Sequence, residues 1–488
     1  MSERALGFAA VQRIVGFLIA GSSLMMLPPV LVSLYYHDGT VGLFLISAAI
    51  LFAAGMLIYF PVRNVKKDLR LRHGFLIVVS AWLALVLVGA LPFVLLSDPD
   101  LSYIDSVFES MSGLTTTGAT IVTNIDALPR AVLYYRQQLQ WLGGMGIIVL
   151  AVAILPMLRV GGMQLYRAET PGPMKDAKLT PRITETAKAL WLIYVGITVT
   201  CIFAYWLAGM KMFDAIGHAF STVAIGGFST HDDSLAFWNN PTVEVVSVIF
   251  MAIAGINFAL HFTAWRRAST QPYFIDPELK VYASLLIVFS ILVSFALYFT
   301  GTYDSIVSSF RYGAFQVISA MTTTGFTTAP FYTWGGALPV ILICIAFIGG
   351  CAGSTAGGMK VIRVILLYRQ SIREIRRLIH PHAIVPVKIG GQRTSDTVIS
   401  AVWGFFFLYI ANFAVMTIML TATGLDAETA NSAVGACITN LGPALGEAGP
   451  NDASLNDTAK VILCVAMLLG RLEIYTLLVL LTPAFWRD

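Results

Sequence analysis

Four glycines in this chain lie in short loops whose chemistry suits the grip of a dehydrated cation. The loops read GLTTTGAT around Gly118, TVAIGGFST around Gly227, AMTTTGFTT around Gly325 and CITNLGPAL around Gly442. None carries a carboxylate. They offer backbone carbonyl oxygens and threonine hydroxyls, and neutral oxygens that replace a hydration shell suit a large monovalent ion better than a divalent one. Glycine reaches dihedral angles closed to other residues and can turn carbonyls toward a shared axis. A single Thr-Thr-Thr-Gly run reads as a turn between helices. Four related loops, 98 to 117 residues apart, do not.

Each loop follows an amphipathic stretch too short to cross a bilayer: YIDSVFESMS, FDAIGHAFS, FRYGAFQVISA and ETANSAVGA. Long apolar runs flank each stretch. The first of each pair spans about 73–96, 184–209, 279–300 and 396–423, and the second about 132–159, 240–266, 337–369 and 458–482. One helix–half-helix–loop–helix unit used four times is the simplest source of this period. Two further apolar helices, about 6–36 and 40–62, come first and are joined by HDGT. The predicted organisation is therefore a two-helix region at 1–66 and pore repeats at 67–160, 161–267, 268–393 and 394–488. Asp105 and Asp214, each thirteen residues before its loop glycine, are predicted to cap their half-helices.

The solvent for these helices is lipid. The 488-residue chain is 57% hydrophobic and only 12% charged, with a mean hydropathy of +0.77, more apolar surface than a soluble core of its size hides. Its runs are continuous rather than alternating, which predicts an all-α integral membrane fold and not a β-barrel. Non-helical backbone at membrane depth is tolerated where it lines a water-filled cavity or is buried in protein. Four units arranged pseudo-fourfold around one pore meet that condition. The first apolar run is too long for a signal h-region and lacks a small-residue cleavage site, so it is read as a spanning helix. The segments before Ile14, at 62–73, 159–188, 266–280 and 360–393, and at the extreme C-terminus hold 25 of the 31 Lys and Arg residues. They are predicted to be cytoplasmic, with both termini inside. The opposite loops carry acids such as Asp98, Asp126, Asp232, Asp233 and Asp452.

This asymmetry makes the net charge of +4 a topological signal, and no nucleic-acid-binding module accompanies it. No HExxH, GxSxG or histidine cluster supports an enzyme, and no GxGxxG in a βαβ setting supports nucleotide binding by this chain. The five cysteines show no disulfide or metal spacing. Two features inside the membrane stand out. The run GGCAGSTAGG places Gly349, Gly350, Gly353, Gly357 and Gly358 within ten residues. Each glycine costs a helix interior up to about 1 kcal/mol, so an unwound loop or small-residue helix packing is expected. Arg471 lies deep in the last apolar run, where an unpaired arginine costs roughly 2.5–3.5 kcal/mol. Glu473, two residues on, points to another helix face. Glu109 stands nine residues before Gly118, where the other repeats have His218, Gln316 and Ala433. It forms no symmetric ring and reads as a polar brace. His231, Asp232 and Asp233 read as vestibule residues or a solvated loop, Lys360 as pore-lining or cytoplasmic, and RQSIREIRRLIHPH as a contact for a cytoplasmic partner or an ordinary inside-facing basic segment.

The pattern across nearly the whole chain resembles the Trk/Ktr/HKT superfamily of cation transporters, and the two extra N-terminal helices are similar to those of its bacterial TrkH/TrkG potassium-uptake branch. The resemblance implies a fold of four M1–P–M2 repeats and a selectivity filter at Thr116, Thr117, Gly118, Ile225, Gly226, Gly227, Thr323, Thr324, Gly325, Asn440, Leu441 and Gly442. Sodium-selective plant relatives carry Ser at the first glycine position, so Gly118 favours potassium. It implies an intramembrane gate at Gly349, Gly350, Cys351, Ala352, Gly353, Ser354, Thr355, Ala356, Gly357 and Gly358, held by Arg471 in the pore wall. It implies a homodimer in the bacterial inner membrane, a cytoplasmic TrkA-like nucleotide-binding ring as partner, potassium as substrate and no cofactor. The competing expectation is a proton- or sodium-coupled symporter, which also uses broken helices but with two related halves.

Overall fold

The computed structural model describes residues 3–65, 71–158, 183–383 and 385–486. Its architecture follows from the apolar runs. Among the described residues six helices are long and apolar enough to cross a membrane, and two bent helix pairs bring the number to as many as eight. Their outward faces carry large exposed apolar side chains, among them Leu207, Phe299, Phe407 and Ile418, the pattern of helices whose solvent is lipid. The basic segment at 159–182 and the predicted boundaries at 66/67 and 160/161 lie outside the described residues.

The two N-terminal helices, Glu3–Ser22 and Val41–Tyr59, pack closely because small residues face each other. A Cβ on Gly55 would collide with the backbone of Ala20, and one on Gly16 with that of Tyr59. The expected single helix at 6–36 is interrupted by a 3-10 turn at Ser23–Met26 and resumes as Leu27–Tyr36. Pro28 and Pro29 are the cause, since proline rings clash with the carbonyls one turn earlier. The HDGT turn is tied to the first repeat, where Asp38 accepts the Ala131 N–H at 2.8 Å.

The helix–half-helix–loop–helix unit recurs four times. The half-helices are Tyr103–Leu114, Met212–Ala224, Ile306–Thr322 and Ala427–Thr439. Their expected caps are corrected. Ser102 caps the first, accepting the Asp105 N–H, whereas Asp105 sits in the first turn and pairs with Lys460 at 2.6 Å. Lys211 precedes the second without a side-chain cap, and Asp214 instead accepts from Thr230 Oγ1 at 2.8 Å. Ser305 and Asp426 cap the third and fourth.

The second helices depart most from expectation. Arg130–Leu158 is continuous, but a break was expected only in the third repeat and three repeats have one. In the second repeat Pro241–Ala254 and Phe258–Arg267 meet at 92° around Gly255, with Asn257 accepting the Ala259 N–H to restart the helix. In the fourth, Asp457–Arg471 and Tyr475–Leu481 meet at 116°, with Glu473 and Ile474 both in the left-handed region. In the third, Leu338–Ile348 and Val361–Ile379 are separated by the whole glycine-rich run. A short hairpin, Lys388–Ile389 with Gln392–Arg393, holds the only β-strands among the described residues. Gly390 and Gly391 supply its turn with φ of +56° and +83°.

Candidate functional site

Each half-helix ends three or four residues before its loop glycine, and the four ends share one hydrogen bond. The N–H just before the glycine reaches back to the carbonyl five residues earlier: Thr117 to Ser112 at 2.9 Å, Gly226 to Ser221 and Thr324 to Ser319 at 2.8 Å, and Leu441 to Ala436 at 2.7 Å. This wrap requires a left-handed residue two before the glycine. Thr116, Ile225, Thr323 and Asn440 occupy it with φ of +54°, +56°, +62° and +57°. The glycines follow at +87°, +79°, +82° and +94°. For β-branched Ile225 this is a strained conformation that its surroundings must impose.

The four loops form a closed ring. A Cβ placed on Gly118 would strike the Gly226 carbonyl oxygen, one on Gly227 that of Thr324, one on Gly325 that of Leu441, and one on Gly442 that of Thr117. Each glycine is therefore pressed against the residue before the next glycine, in the cyclic order one, two, three, four, one. Twelve carbonyls belong to the predicted filter residues Thr116–Gly118, Ile225–Gly227, Thr323–Gly325 and Asn440–Gly442. Among the described residues eleven of them accept no hydrogen bond, and the twelfth, Gly226, accepts one from Gln140 Nε2 at 2.5 Å. Buried carbonyls are ordinarily paired, so this set is available to a ligand. The negative ends of four half-helix dipoles meet there as well.

Each half-helix is braced to the strand that returns from its own loop. Glu109 accepts from Thr120 Oγ1 and from the Ile121 N–H, and Arg136 Nε completes its shell at 2.7 Å. His218 bonds Ser229 Oγ at 3.0 Å, and Gln316 donates to the Ala329 carbonyl at 3.1 Å. Where the fourth repeat has Ala433, Ser432 bonds the N–H of Leu445 at 2.9 Å. The polar run Arg136–Gln140 inside an apolar helix is the signal sequence reasoning did not use. Gln140 clamps the second loop by also accepting the Phe228 N–H, and Ser221 Oγ donates to Gln137 Oε1.

On one side of the ring lies a cavity of about 510 Å³, lined by the four glycines and by Asp232, Asp233, Asn451 and Asp452. His231 sits at its wall, stacked on Phe237 and bridging Asp126 and Asp214. Burial alone would lower its pKa, but the Asp214 and Asp126 carboxylates outweigh burial and raise it. Asp232 accepts the Ile125 N–H at 2.8 Å, and Asp126 accepts the Asp232 N–H at 3.2 Å, so the first and second return loops are clamped together.

On the other side lies the glycine-rich run. The Gly357 N–H donates to Thr323 Oγ1 at 2.7 Å, the Gly358 N–H to the Thr439 carbonyl at 3.0 Å, and Thr355 Oγ1 to the Val223 carbonyl at 2.9 Å. These acceptors stand two to four residues before their loop glycines, so the run lies directly beneath the ring. Cys351 N–H bonds the Gly255 carbonyl, Phe258 N–H bonds the Gly353 carbonyl, and Glu278 accepts the N–H groups of Ala352 and Ile362. Gly350, Ser354 and Ala356 complete the run, with Ala356 packed on Ile225 and Ala254. Arg471 donates to the Thr355 carbonyl at 3.2 Å and to the Gly143 carbonyl at 2.6 Å. Glu473 pairs not with Arg471 but with Arg363, at 2.5 Å. Lys360 is buried beside the run and donates to the Ala356 carbonyl.

A family model described as a cation transport protein, TrkH, matches residues 42–487. The Trk system potassium uptake protein TrkH of Halomonas elongata is 54% identical over 98% of this chain and 99% of its own length. That of Escherichia coli K12 is 50% identical over 99% of this chain and all of its own length. The crystal structure of the potassium transporter TrkH from Vibrio parahaemolyticus superposes with a TM-score of 0.90 at 48% identity, covering 98% of this chain and 100% of that one.

Proposed function

The chain belongs to the TrkH family of cation transport proteins, and from that membership we propose that it takes up potassium through the ring of glycine loops. It is a multi-pass membrane transporter and not an enzyme, with potassium as substrate and no cofactor. The observation that carries the reading is a set of eleven carbonyls in a closed fourfold ring, nine of them on buried residues, that accept no hydrogen bond among the described residues. Carbonyls in this state replace a potassium ion's hydration shell at little reorganisation cost.

The same geometry supports a finer reading. The acid-lined cavity is the external mouth and the basic segments face the cytoplasm of a bacterial inner membrane, with both termini inside. The run from Gly349 to Gly358 closes the pathway beneath the ring, and Arg471 holds it by two hydrogen bonds while its charge opposes a passing cation. The name of the relatives as part of a Trk system supports a multi-component assembly. In this reading the assembly is a homodimer joined to a cytoplasmic nucleotide-binding ring of TrkA type, which pulls on Val361–Ile379 to break those bonds.

Purified chain in proteoliposomes, with and without the nucleotide-binding partner, provides the test. Rubidium-86 influx down a potassium gradient is expected without any proton or sodium gradient, and nucleotide response is expected only with the partner. Influx that collapses with the proton or sodium gradient would assign coupled transport, and a nucleotide response from the chain alone would refute the division of labour.

A further inference from the structure

The cavity above the ring contains a carboxylate that none of the braces described above uses. Asp452 is only 4% exposed and lines the cavity beside Gly442 and Gly118. Its N–H donates to the Thr120 carbonyl at 2.8 Å, which fixes it against the strand leaving the first loop. Its side chain accepts no hydrogen bond among the described residues, and the two charged groups that act on it, Glu109 and Lys460, are matched elsewhere. Glu109, on the half-helix of the first repeat, is held by Arg136 from the helix that follows. Lys460, on the last helix, is held by Asp105. The thiols of Cys437 and Cys464 also lie within its field, and His231, Asp232, Asp233 and Tyr332 share the lining of the cavity. An ionised carboxylate so buried and without a donor is costly, and the open side from which a counter-charge can come is the cavity.

We propose that Asp452 is a monovalent-cation ligand at the mouth of the ring, a loading site outside the four glycine loops at which a potassium-sized cation and a proton compete. The proposal rests on reading the cavity as the external end of the pathway. Among the described residues no group of three or more His, Cys, Asp or Glu side chains converges, so a tight divalent site is not available there, and one carboxylate backed by neutral oxygens suits a weakly held monovalent ion. Burial, and then the nearby charge of Glu109, push Asp452 up to about 8, with Lys460 offsetting them in part. The ion-free site is therefore protonated at neutral pH. Loading exchanges one for the other: the carboxylic acid gives its proton to solvent as the cation takes its place on the carboxylate.

Two measurements on the full chain test this. Adding KCl to detergent-solubilised protein in weak buffer at pH 7.5, against choline chloride, is expected to release up to about one proton per chain. Carbonyl sites bind potassium without releasing a proton, so no release overturns the proposal whatever any variant does. In proteoliposomes, the half-saturating external rubidium is expected to rise on the order of eightfold from pH 8.5 to pH 7.0, as a carboxyl titrating near 8 becomes protonated. Asp452→Asn should abolish proton release and flatten that dependence, while Asp452→Glu should keep both. Unchanged pH dependence and release in Asp452→Asn overturn the assignment, and retained release in His231→Asn keeps that group out of it. Wild-type chain that carries no rubidium at any pH would sink the pore reading instead, and the proton-release measurement still decides Asp452.

Discussion

Replacing Gly118 by serine should cost selectivity, and the structure allows the cost to be separated into strain and crowding. Gly118 has φ of +87°, and a side chain there costs roughly 1–2 kcal/mol of backbone strain. Its Cβ would also lie against the Gly226 carbonyl oxygen. That oxygen is backbone, already held by Gln140, so it cannot swing away cheaply. Restoring an ordinary separation needs the seam between the first and second loops to open by on the order of 1 Å. Gly336 supplies the control, because its φ is +69° but a Cβ there meets nothing within 4 Å. Gly336→Ser therefore carries strain without crowding. We expect Gly118→Ser to lower the potassium-to-sodium permeability ratio about tenfold, equivalent to about 1.4 kcal/mol of lost discrimination, and Gly336→Ser to leave the ratio in place. Reversal potentials under biionic conditions report it. An unchanged ratio in Gly118→Ser, or an equal fall in Gly336→Ser, would refute the reasoning that crowding at the seam sets the ring's geometry.

Arg471→Ala removes two charge-assisted hydrogen bonds from the closed arrangement, each worth about 1.5–3 kcal/mol, so partner-independent rubidium flux should rise at least about tenfold, and abolished or unaltered flux in folded protein would count against a gate there. Arg136→Ala leaves Glu109 buried and unpaired, which should destabilise the protein by about 3–5 kcal/mol, and Arg136→Leu combined with Glu109→Gln should recover much of the thermal melting temperature. The His231 clamp has a defined pH sense. Because its folded pKa is raised above an ordinary value of 6.5, its contribution is complete below that value and lost as pH rises through the raised one, so the melting temperature should fall across that window in wild type and not in His231→Asn.

What could be read from the chain was set by the range of the interactions that write it. The four-unit period, the half-helices and the loop glycines were legible because they rest on local apolar periodicity and on a backbone conformation that glycine serves best. The extra breaks at Gly255 and at Glu473–Ile474 were not. One glycine, or two ordinary residues forced to φ near +55°, leaves no compositional trace, and each bend is held by a partner far off in the chain: the Cys351 N–H on the Gly255 carbonyl, and Arg363 on Glu473. The caps failed for a related reason: Asp105 and Asp214 have the right chemistry, but distant partners, Lys460 and His231, claim them. The braces at Arg136 and Gln140 were visible as polar residues in an apolar helix, yet which loop each would hold depends on pairings between separate repeats. Asp452 looked like one more acid in an acidic loop, and its burial is a property of the assembled fold.

The run beneath the ring touches the second, third and fourth repeats by its own hydrogen bonds and the first through Arg471. Four identical subunits around an axis could not make such a piece, because symmetry would demand four copies in a space that admits one. Joining the repeats in a single polypeptide removes that demand. Under the gating proposed above, it lets one wall of a near-symmetric bundle act as a latch while the other three serve as its strike plates, so that closure would have a single moving part and a pull applied to one helix would be enough to release it.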